Sequence, residues 1–505
     1  MRDKVDMRSQ PHPLGRARGL PVLLAVTLAA LAQPALAQTG LWDFTPRVSA
    51  SLEVTDNVRL APRGQEDSDL IGTITPGFTV RREGQRAQLS LNYSLSSRFH
   101  LDESSEDRTT HNLAGRGRVE VIPDAVFVDA AASRTAQAAS LLGPIGIGGT
   151  TPRDNLTETS RYSVSPYWVA RFGDVANQQV RYTYDQVRYH RSTRPTSDAH
   201  SAQYTLDSGP AFGRPFWQIA GSYRDEEVRE GIRGEFASAS ATAGYRFGRS
   251  LRVFATGGRE FNDFETDRDD DDGSFWLIGA GWAPTSVTNI DASYGERFFG
   301  KTGSVAVTHR TRRASYRLSY VDDISSTRGV GFGRFSDLAD LLGLTVEDMF
   351  EQFTIEELNL LLALNDLDDP VVTEGFFRTR SWRAGWTYDT GRSTFGITAF
   401  HSEREAESRS GLGVTEDDRT RYGVNGSWRW ALGPRTDATF STGFSRTEFE
   451  GDREDDLWNF RAGIGRDLGS NTRASLAYRH QRRDSNEAAN EYRENGVVAT
   501  VTRTF

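Results

Sequence analysis

The last residues of the chain alternate between apolar and polar side chains and end on an aromatic ring. Val497, Ala499 and Val501 fall on one side of an extended segment that reaches Phe505, and the residues between them fall on the other. Successive side chains of a β-strand point to opposite faces, so the segment is predicted to be a strand with one apolar face. A final strand of this kind, ending on Phe, is typical of bacterial outer-membrane β-barrels. Arg503 departs from the pattern, because it stands where an apolar residue is expected.

The same alternation recurs through the chain, with aromatic residues near the ends of the apolar faces. Trp382, Trp386 and Tyr388, for example, alternate with polar residues or glycine. Apolar strand faces bordered by aromatic girdles are typical of a barrel wall that contacts lipid. Short turns alternate with longer polar connections, and counting the strands gives about 22. We therefore predict an all-β fold, a transmembrane antiparallel β-barrel of about 18–22 strands with a short acidic helical insert.

The start of the chain predicts export from the cytoplasm. A basic segment containing Arg16 and Arg18 precedes an apolar run, and Ala35 and Ala37 form a small-x-small cleavage site. The apolar run has about 13 residues, which is too short to cross a hydrocarbon core of ~30 Å. We predict that residues 1–37 are a secretory signal peptide and that 38–505 form an outer-membrane barrel.

Several functional classes are disfavoured. The chain has no Cys, and its histidines are scattered singly along it, without the motifs of hydrolases or metal sites. Acidic clusters such as 267–272 lack the spacing of a calcium loop. We predict no catalytic residues, no metal, no cofactor and no nucleic-acid partner. A TonB-dependent receptor also has about 22 strands, but its folded plug does not fit in residues 38–45, so the sequence disfavours that class.

The most distinctive polar residues of the predicted strands are arginines. Arginine stays charged and binds carboxylate or phosphate through two parallel hydrogen bonds. An arginine-lined lumen would therefore attract anionic solutes. Alternatively, the arginines pair with Asp129, Asp291 and the acidic insert as structural ladders, and the sequence does not separate the two readings. The predicted lumen-lining residues are Arg98, Arg317, Arg383, Arg429, Arg461 and Arg479.

The helical insert is predicted at residues 330–375. Residues 354–357 form a capping box ahead of a leucine-rich stretch, and eleven acidic residues lie between Arg334 and Arg378 with no basic residue. We expect the insert either to fold into the lumen as a gate or to cap the barrel from outside. The gate candidates are Glu347, Asp348, Glu351, Glu356 and Glu357.

The first predicted strand ends in Thr55-Asp56-Asn57. This opening resembles that of the outer-membrane β-barrel porin family associated with PEP-CTERM/exosortase exopolysaccharide gene clusters. The resemblance implies a conduit that assists export or assembly of an exopolysaccharide. The alternatives are a general diffusion porin and a structural barrel without an open pore.

The expected partners follow from the predicted barrel and from this resemblance. They are outer-membrane lipid and lipopolysaccharide, the barrel assembly machinery with Phe505 as assembly signal, an anionic polysaccharide and periplasmic export components. The expected location is the outer membrane of a Gram-negative cell.

Overall fold

The computed structural model describes residues 42–505 except 148, 191–195, 229–231, 265, 267, 269–270, 327–375 and 408–417. The described residues form one antiparallel sheet in which each strand pairs with its neighbours in the chain, and the first strand pairs with the last. The sheet is therefore a closed barrel of 22 strands, which confirms the predicted fold class and sets the strand number at the top of the predicted range. The predicted helical insert lies outside the described residues. No helix in the described ranges is long and apolar enough to cross a membrane.

The strands are β1 (Trp42–Thr55), β2 (Asp69–Glu83), β3 (Ala87–His100), β4 (Arg108–Ile122), β5 (Val126–Ala138), β6 (Leu156–Phe172), β7 (Ala176–His190), β8 (Ser197–Ser208), β9 (Pro215–Val228), β10 (Ile232–Phe247), β11 (Leu251–Phe264), β12 (Gly273–Thr285), β13 (Thr288–Arg297), β14 (Gly300–Arg310), β15 (Ala314–Ser326), β16 (Phe376–Asp389), β17 (Ser393–Ala406), β18 (Arg419–Gly433), β19 (Thr436–Phe449), β20 (Glu454–Asp467), β21 (Thr472–Ser485) and β22 (Tyr492–Thr504).

The two rims of the barrel differ in the length of their connections. The rim where β1 begins and β22 ends carries tight turns, and Gly173 and Gly248 adopt positive φ angles of 55° and 72° there. Glycine reaches this left-handed conformation without a steric penalty, which explains the recurrent Phe-Gly turns of the sequence. The opposite rim carries the longer connections. We call the first rim the periplasmic end and the second the external end, following the usual asymmetry of such barrels.

The outer face of the wall is apolar. Leu52 and Val54 of β1 are 62% and 58% exposed, and aromatic side chains occupy both ends of the apolar band. Towards the periplasmic end these include Trp282 and Trp430, and towards the external end Trp276 and Trp458. In water such a surface would be strongly unfavourable, whereas in a bilayer it contacts acyl chains. The wall is therefore a membrane-spanning surface.

The last strand completes this surface. Val501 pairs with Ala50 and Ala499 with Leu52, so the apolar faces of β22 and β1 are continuous. The guanidinium of Arg503 lies 5.3 Å from the centre of the Phe505 ring, at the periplasmic rim. A long arginine can keep its charge at the membrane interface while its stem covers apolar surface, which explains the exception in the pattern.

The external end of the β1–β22 seam is closed by the Thr55-Asp56-Asn57 segment. The Thr55 hydroxyl donates to Glu494 at 2.8 Å, and the Asn57 side-chain amide donates to the Arg493 carbonyl at 3.0 Å. Asp56 accepts hydrogen bonds from the backbone and side chain of Asn495 at 2.7 and 2.6 Å. The segment that resembles a family opening thus has a clear structural role in holding the first strand to the last.

Candidate functional site at the external mouth of the barrel

The six arginines predicted to line the lumen all lie on inward-facing positions of their strands. Arg317, for example, stands between Tyr316 and Leu318, whose side chains are 46% and 37% exposed on the outer face. The structure distributes these arginines around the wall and brings Arg98 and Arg479 into one cluster. Arg461 on β20 is the cross-strand partner of Arg479, Arg317 and Arg383 lie on the neighbouring strands β15 and β16, and Arg429 lies on β18.

The two aspartates predicted to form ladders are paired with other arginines. Asp129 accepts hydrogen bonds from Arg118 at 2.7 Å and Arg181 at 3.0 Å, and Asp291 accepts one from Arg252 at 2.7 Å. The Arg118 and Arg252 side chains are more than half exposed, so these ladders are partly hydrated. Pairs of this kind contribute only about 0–1 kcal/mol each, so they organise the periplasmic half of the wall without dominating its stability.

A buried charge network joins four strands near the external end. Glu53 on β1 accepts hydrogen bonds from Arg98 at 2.8 Å and from Arg479 at 2.7 Å, and Arg479 also donates to Glu494 on β22 at 2.7 Å. Glu494 is only 1% exposed, and the Gln481 amide donates to it at 3.0 Å. Each carboxylate is satisfied by charged or neutral donors, so the network is stable as a unit. Removal of one member leaves an unpaired buried charge, which costs about 3–5 kcal/mol.

The connection between β5 and β6, residues 139–155, folds inward from the external rim and lies against β21 and β22, on the other side of the seam. We call it the inner loop. Arg483 on β21 donates to the carbonyls of Leu141 and Gly143 at 2.9 and 2.6 Å. The Tyr492 hydroxyl on β22 donates to the Ile145 carbonyl at 2.5 Å. These contacts connect positions more than 330 residues apart in the chain, across the strands that separate β5 from β21.

Further contacts fix the middle of the inner loop. The Ile147 amide donates to the Gln481 side-chain oxygen at 2.9 Å, and the Gln481 amide donates to the Thr150 hydroxyl at 3.0 Å. Ile147 packs against Leu457 of the wall, and Leu141 packs against Phe449. Burial of an aliphatic side chain contributes about 1.5–3 kcal/mol, so these two apolar contacts add substantially to the polar ones.

The sequence of the inner loop explains how it turns so sharply. Asn155 closes its base, because its side chain accepts from the Ser140 amide at 2.9 Å and donates to the carbonyls of Ser140 and Pro144 at 2.9 and 3.1 Å. A Cβ on Gly146 would stand 2.1 Å from the Thr150 hydroxyl, so only glycine fits there. The glycines of residues 136–157 predict a flexible external loop. The structure contains the glycine turns, but it packs the loop into the lumen.

Two arginines bind the inner loop at Gly149. Arg98 and Arg108 face each other as a cross-strand pair on β3 and β4, and both donate to the Gly149 carbonyl, Arg108 at 2.6 Å. Like charges in directly opposed positions repel, so their proximity depends on Glu53 and Glu106 nearby. A small cavity of about 10 Å³ lies beside them, lined by these four charged residues together with Thr55, Asn57, Val58, Ile71, His100 and Thr150.

The sequence analysis missed most of this site. Glu53, Arg108, Gln481, Arg483 and Glu494 were not among the candidates, although each occupies an inward position near the external end of a strand. A search for charged or amide residues at the inward-facing positions of each strand end would have found them. The path of the inner loop has no such signal, because it depends on distant residues. The gate candidates Glu347, Asp348, Glu351, Glu356 and Glu357 lie outside the described residues, so the predicted gate stays a prediction.

The histidines on the outer face take part in simple structural contacts. Tyr93 bonds to His111 at 2.9 Å, and Tyr182 bonds to His200 at 2.6 Å. Over the part of the chain that the structure describes, no group of three or more potential metal ligands occurs. The expectation that the protein is not an enzyme stays a prediction.

The comparison with solved structures relates this barrel to iron-transport proteins. The FrpB iron transporter from Neisseria meningitidis matches with a TM-score of 0.52 and 9% identity, over 92% of this chain and 82% of that one. The siderophore receptor PirA from Acinetobacter baumannii matches with a TM-score of 0.48 and 7% identity over 92% and 80%. The ferric-catecholate import receptor Fiu from E. coli K12 matches at 0.47 and 8% over 92% and 82%. No protein-family model and no curated protein sequence matches the chain.

At 9% identity, the similarity to FrpB establishes a shared fold. Together with the apolar outer wall, it supports the predicted location in the bacterial outer membrane. The predicted function is wrong: the barrel that shares this fold is an iron transporter, and neither exopolysaccharide export nor general diffusion is favoured. The expectation that the chain is not a TonB-dependent receptor stays a prediction.

Proposed function

We propose that the protein is an outer-membrane transporter that takes up a ligand from the external medium, of the ferric-chelate type carried by the proteins it resembles in fold. The observation that carries the proposal is a 22-stranded barrel whose external mouth is narrowed by the inner loop. Barrels of 16–18 strands leave an aqueous channel, whereas 22-stranded outer-membrane transporters have an obstructed lumen. A wide wall with a fitted obstruction suits selective passage better than free diffusion.

The charge at the mouth supports an anionic ligand. Arg98, Arg108 and Arg483 face inward near the external end, and each presents the planar donor fork of a guanidinium. Guanidinium groups on a rigid wall favour carboxylate, phosphate or other anionic oxygen atoms that arrive from outside. The role proposed is binding and passage, without catalysis.

Two of the earlier expectations are kept as proposals. We propose contact with outer-membrane lipid and lipopolysaccharide through the outer face, and recognition by the barrel assembly machinery through the strand that ends at Phe505. We also propose that the gene lies near PEP-CTERM/exosortase genes, as the resemblance at residues 55–57 implies. Within the protein, the seam contacts of these residues account for their presence.

The test is an uptake measurement in a deletion strain under iron limitation. The strain is supplied with radiolabelled ferric chelates of the catecholate and hydroxamate classes, and entry of a small neutral sugar is followed in parallel. We expect the deletion to lower the uptake of one ferric chelate while sugar entry is unchanged. The native gene should restore the uptake of that chelate. Unchanged uptake of every chelate, or a parallel fall in sugar entry, would contradict the proposal.

A further inference from the structure

We propose that Arg98 and Arg108 form a binding site for a multiply charged anion, and that the inner loop occupies this site with the carbonyl oxygen of Gly149. The inference deepens the proposed uptake function by naming the ligand class and the place where it binds. In this arrangement the loop is a built-in competitor, and an anion of sufficient charge takes its place at the arginines.

Arg98 and Arg108 both donate to a neutral acceptor, the carbonyl of Gly149. An anionic oxygen in the same place would add Coulomb attraction to the charged donors, and a carboxylate or phosphate can also accept two parallel hydrogen bonds from one guanidinium. A ligand that presents anionic oxygens at these positions would therefore form stronger bonds than the loop does.

The charge of Arg108 is only weakly balanced by its neighbours. Glu53 is engaged by Arg98 and Arg479, and the ion pair between Arg108 and Glu106 is long, with 4.0 Å from nitrogen to oxygen. The Arg108 side chain is 7% exposed, so water compensates its charge only slightly. Its short contact is the one with the Gly149 carbonyl, at 2.6 Å. This cation would gain most from a negative partner.

The space beside the two arginines leads to the same site. The cavity there is about 10 Å³, far below the ~300–1,000 Å³ of typical small-molecule sites. A chelate-sized ligand therefore fits only where the loop now lies. Asn155 closes the base of the loop through hydrogen bonds within the loop, so the part around Gly149 can leave the arginines while the base keeps its fold.

The site is tested with purified full-length protein in detergent, with tripolyphosphate as the anion and a neutral tetrasaccharide as control. Because the chain contains no Cys, spin labels can be placed specifically at Pro144→Cys on the loop and Ser427→Cys on an inward position of β18. We expect tripolyphosphate, and not the sugar, to bind and to shift the distance between the labels. Binding without a shift in distance, or no binding, overturns the proposal.

Two further variants separate this site from general attraction of anions. In R98Q/R108Q the affinity for tripolyphosphate should fall by about tenfold or more. In the control R252Q/R473Q, which removes the same charge at the periplasmic end, it should not change. An equal loss in both variants overturns the proposal. Heat-modifiable migration on gels confirms that each variant has folded.

Replacement of residues 142–150 by a short Gly-Ser linker supplies the decisive result, since it removes the competitor and leaves the arginines. Tripolyphosphate should then bind more tightly than to the native protein, and weaker binding would show that the loop itself forms the site. This measurement is independent of the uptake assay. Chelate uptake without anion binding would support the proposed function and contradict the proposed anion site. Anion binding without chelate uptake would support the anion site and contradict the proposed function.

Discussion

The wall of the barrel is built in two different ways on its two sides. Around the seam, from β20 through β22 and β1 to β4, inward side chains are charged, long and buried, and the inner loop lies over them. On the opposite side, inward phenylalanine rings lie over glycines of neighbouring strands. A Cβ on Gly244 would stand 2.2 Å from the Phe216 ring, and one on Gly279 would stand 2.3 Å from the Phe254 ring. On the seam side, side chains and the inner loop project into the lumen. On the opposite side, the phenylalanine rings add little thickness to the wall.

The difference shows that a single closed sheet can carry a site on one sector and leave room on another. Rings that cover glycines lie flat along the wall and shield the backbone without projecting far inward. Arginines paired across strands project inward and need partners, which here include the backbone of a loop. We call the seam side the occupied sector and the opposite side the thin sector, and the comparison can be tested by altering each sector in turn.

The largest effect is expected from removing the inner loop. Replacement of residues 142–150 by a Gly-Ser linker should raise single-channel conductance in planar bilayers, because the obstruction leaves the mouth while the wall is unchanged. Replacement of the short 3₁₀-containing connection at 486–491, which lies at the same rim, by the same linker serves as the control. Equal conductance of the native and loop-replaced proteins would show that the inner loop does not limit the current.

The next effect concerns the buried network of the occupied sector. Arg479→Ala should lower the free energy of unfolding by about 3–5 kcal/mol, because Glu53 and Glu494 lose their shared buried partner. Arg252→Ala, which breaks a half-exposed pair, should cost about 0–1 kcal/mol. Urea unfolding of the folded barrel in lipid vesicles measures both. Similar losses for the two variants would mean that burial does not distinguish the sectors.

The thin sector has its own matched pair of variants. A Cβ on Gly258 would lie 2.5 Å from the Ala239 carbonyl oxygen and from the Phe275 ring, whereas one on Gly257 would have nothing within 4 Å. Gly258→Ala should therefore cost about 1–3 kcal/mol through overpacking, and Gly257→Ala should cost much less. The same unfolding measurement applies, and equal costs would refute the ring-over-glycine description.

The smallest effect is expected at one contact of the inner loop. Tyr492→Phe removes the hydroxyl that donates to the Ile145 carbonyl and should cost about 0.5–1.5 kcal/mol, with the wall intact. Hydrogen exchange of the loop amides should increase while that of the strands stays the same. A variant with unchanged exchange would show that Arg483 and Gln481 hold the loop without this hydroxyl.

The barrel was predictable because its information is local. Each strand repeats a two-residue pattern, and residues such as Trp382 and Trp386 mark the outer face without reference to any distant part of the chain. The same local pattern assigned the arginines to the inner face of their strands. Strand number was less certain, since it depends on where each connection starts and ends.

The functional site was not predictable in this way. The contacts of Arg483 with Leu141 and Gly143 join segments about 340 residues apart, and neither segment carries a pattern that names the other. Arg98 was recognised as an inward cation, but its partners Glu53 and Gly149 come from β1 and the inner loop. Pairing of this kind appears only when the barrel closes.

The sequence by itself determined that this chain forms a membrane-spanning antiparallel barrel, because a two-residue alternation sets the face of every side chain before any strand finds its neighbour. Only the tertiary structure decided what the lumen contains. Closure of β1 on β22 brings Glu53 and Glu494 to the same Arg479, and the inner loop turns inward because buried arginines and a closed mouth provide donors for its carbonyl oxygens. A buried donor needs an acceptor, and which acceptor it meets depends on geometry that the alternation does not encode.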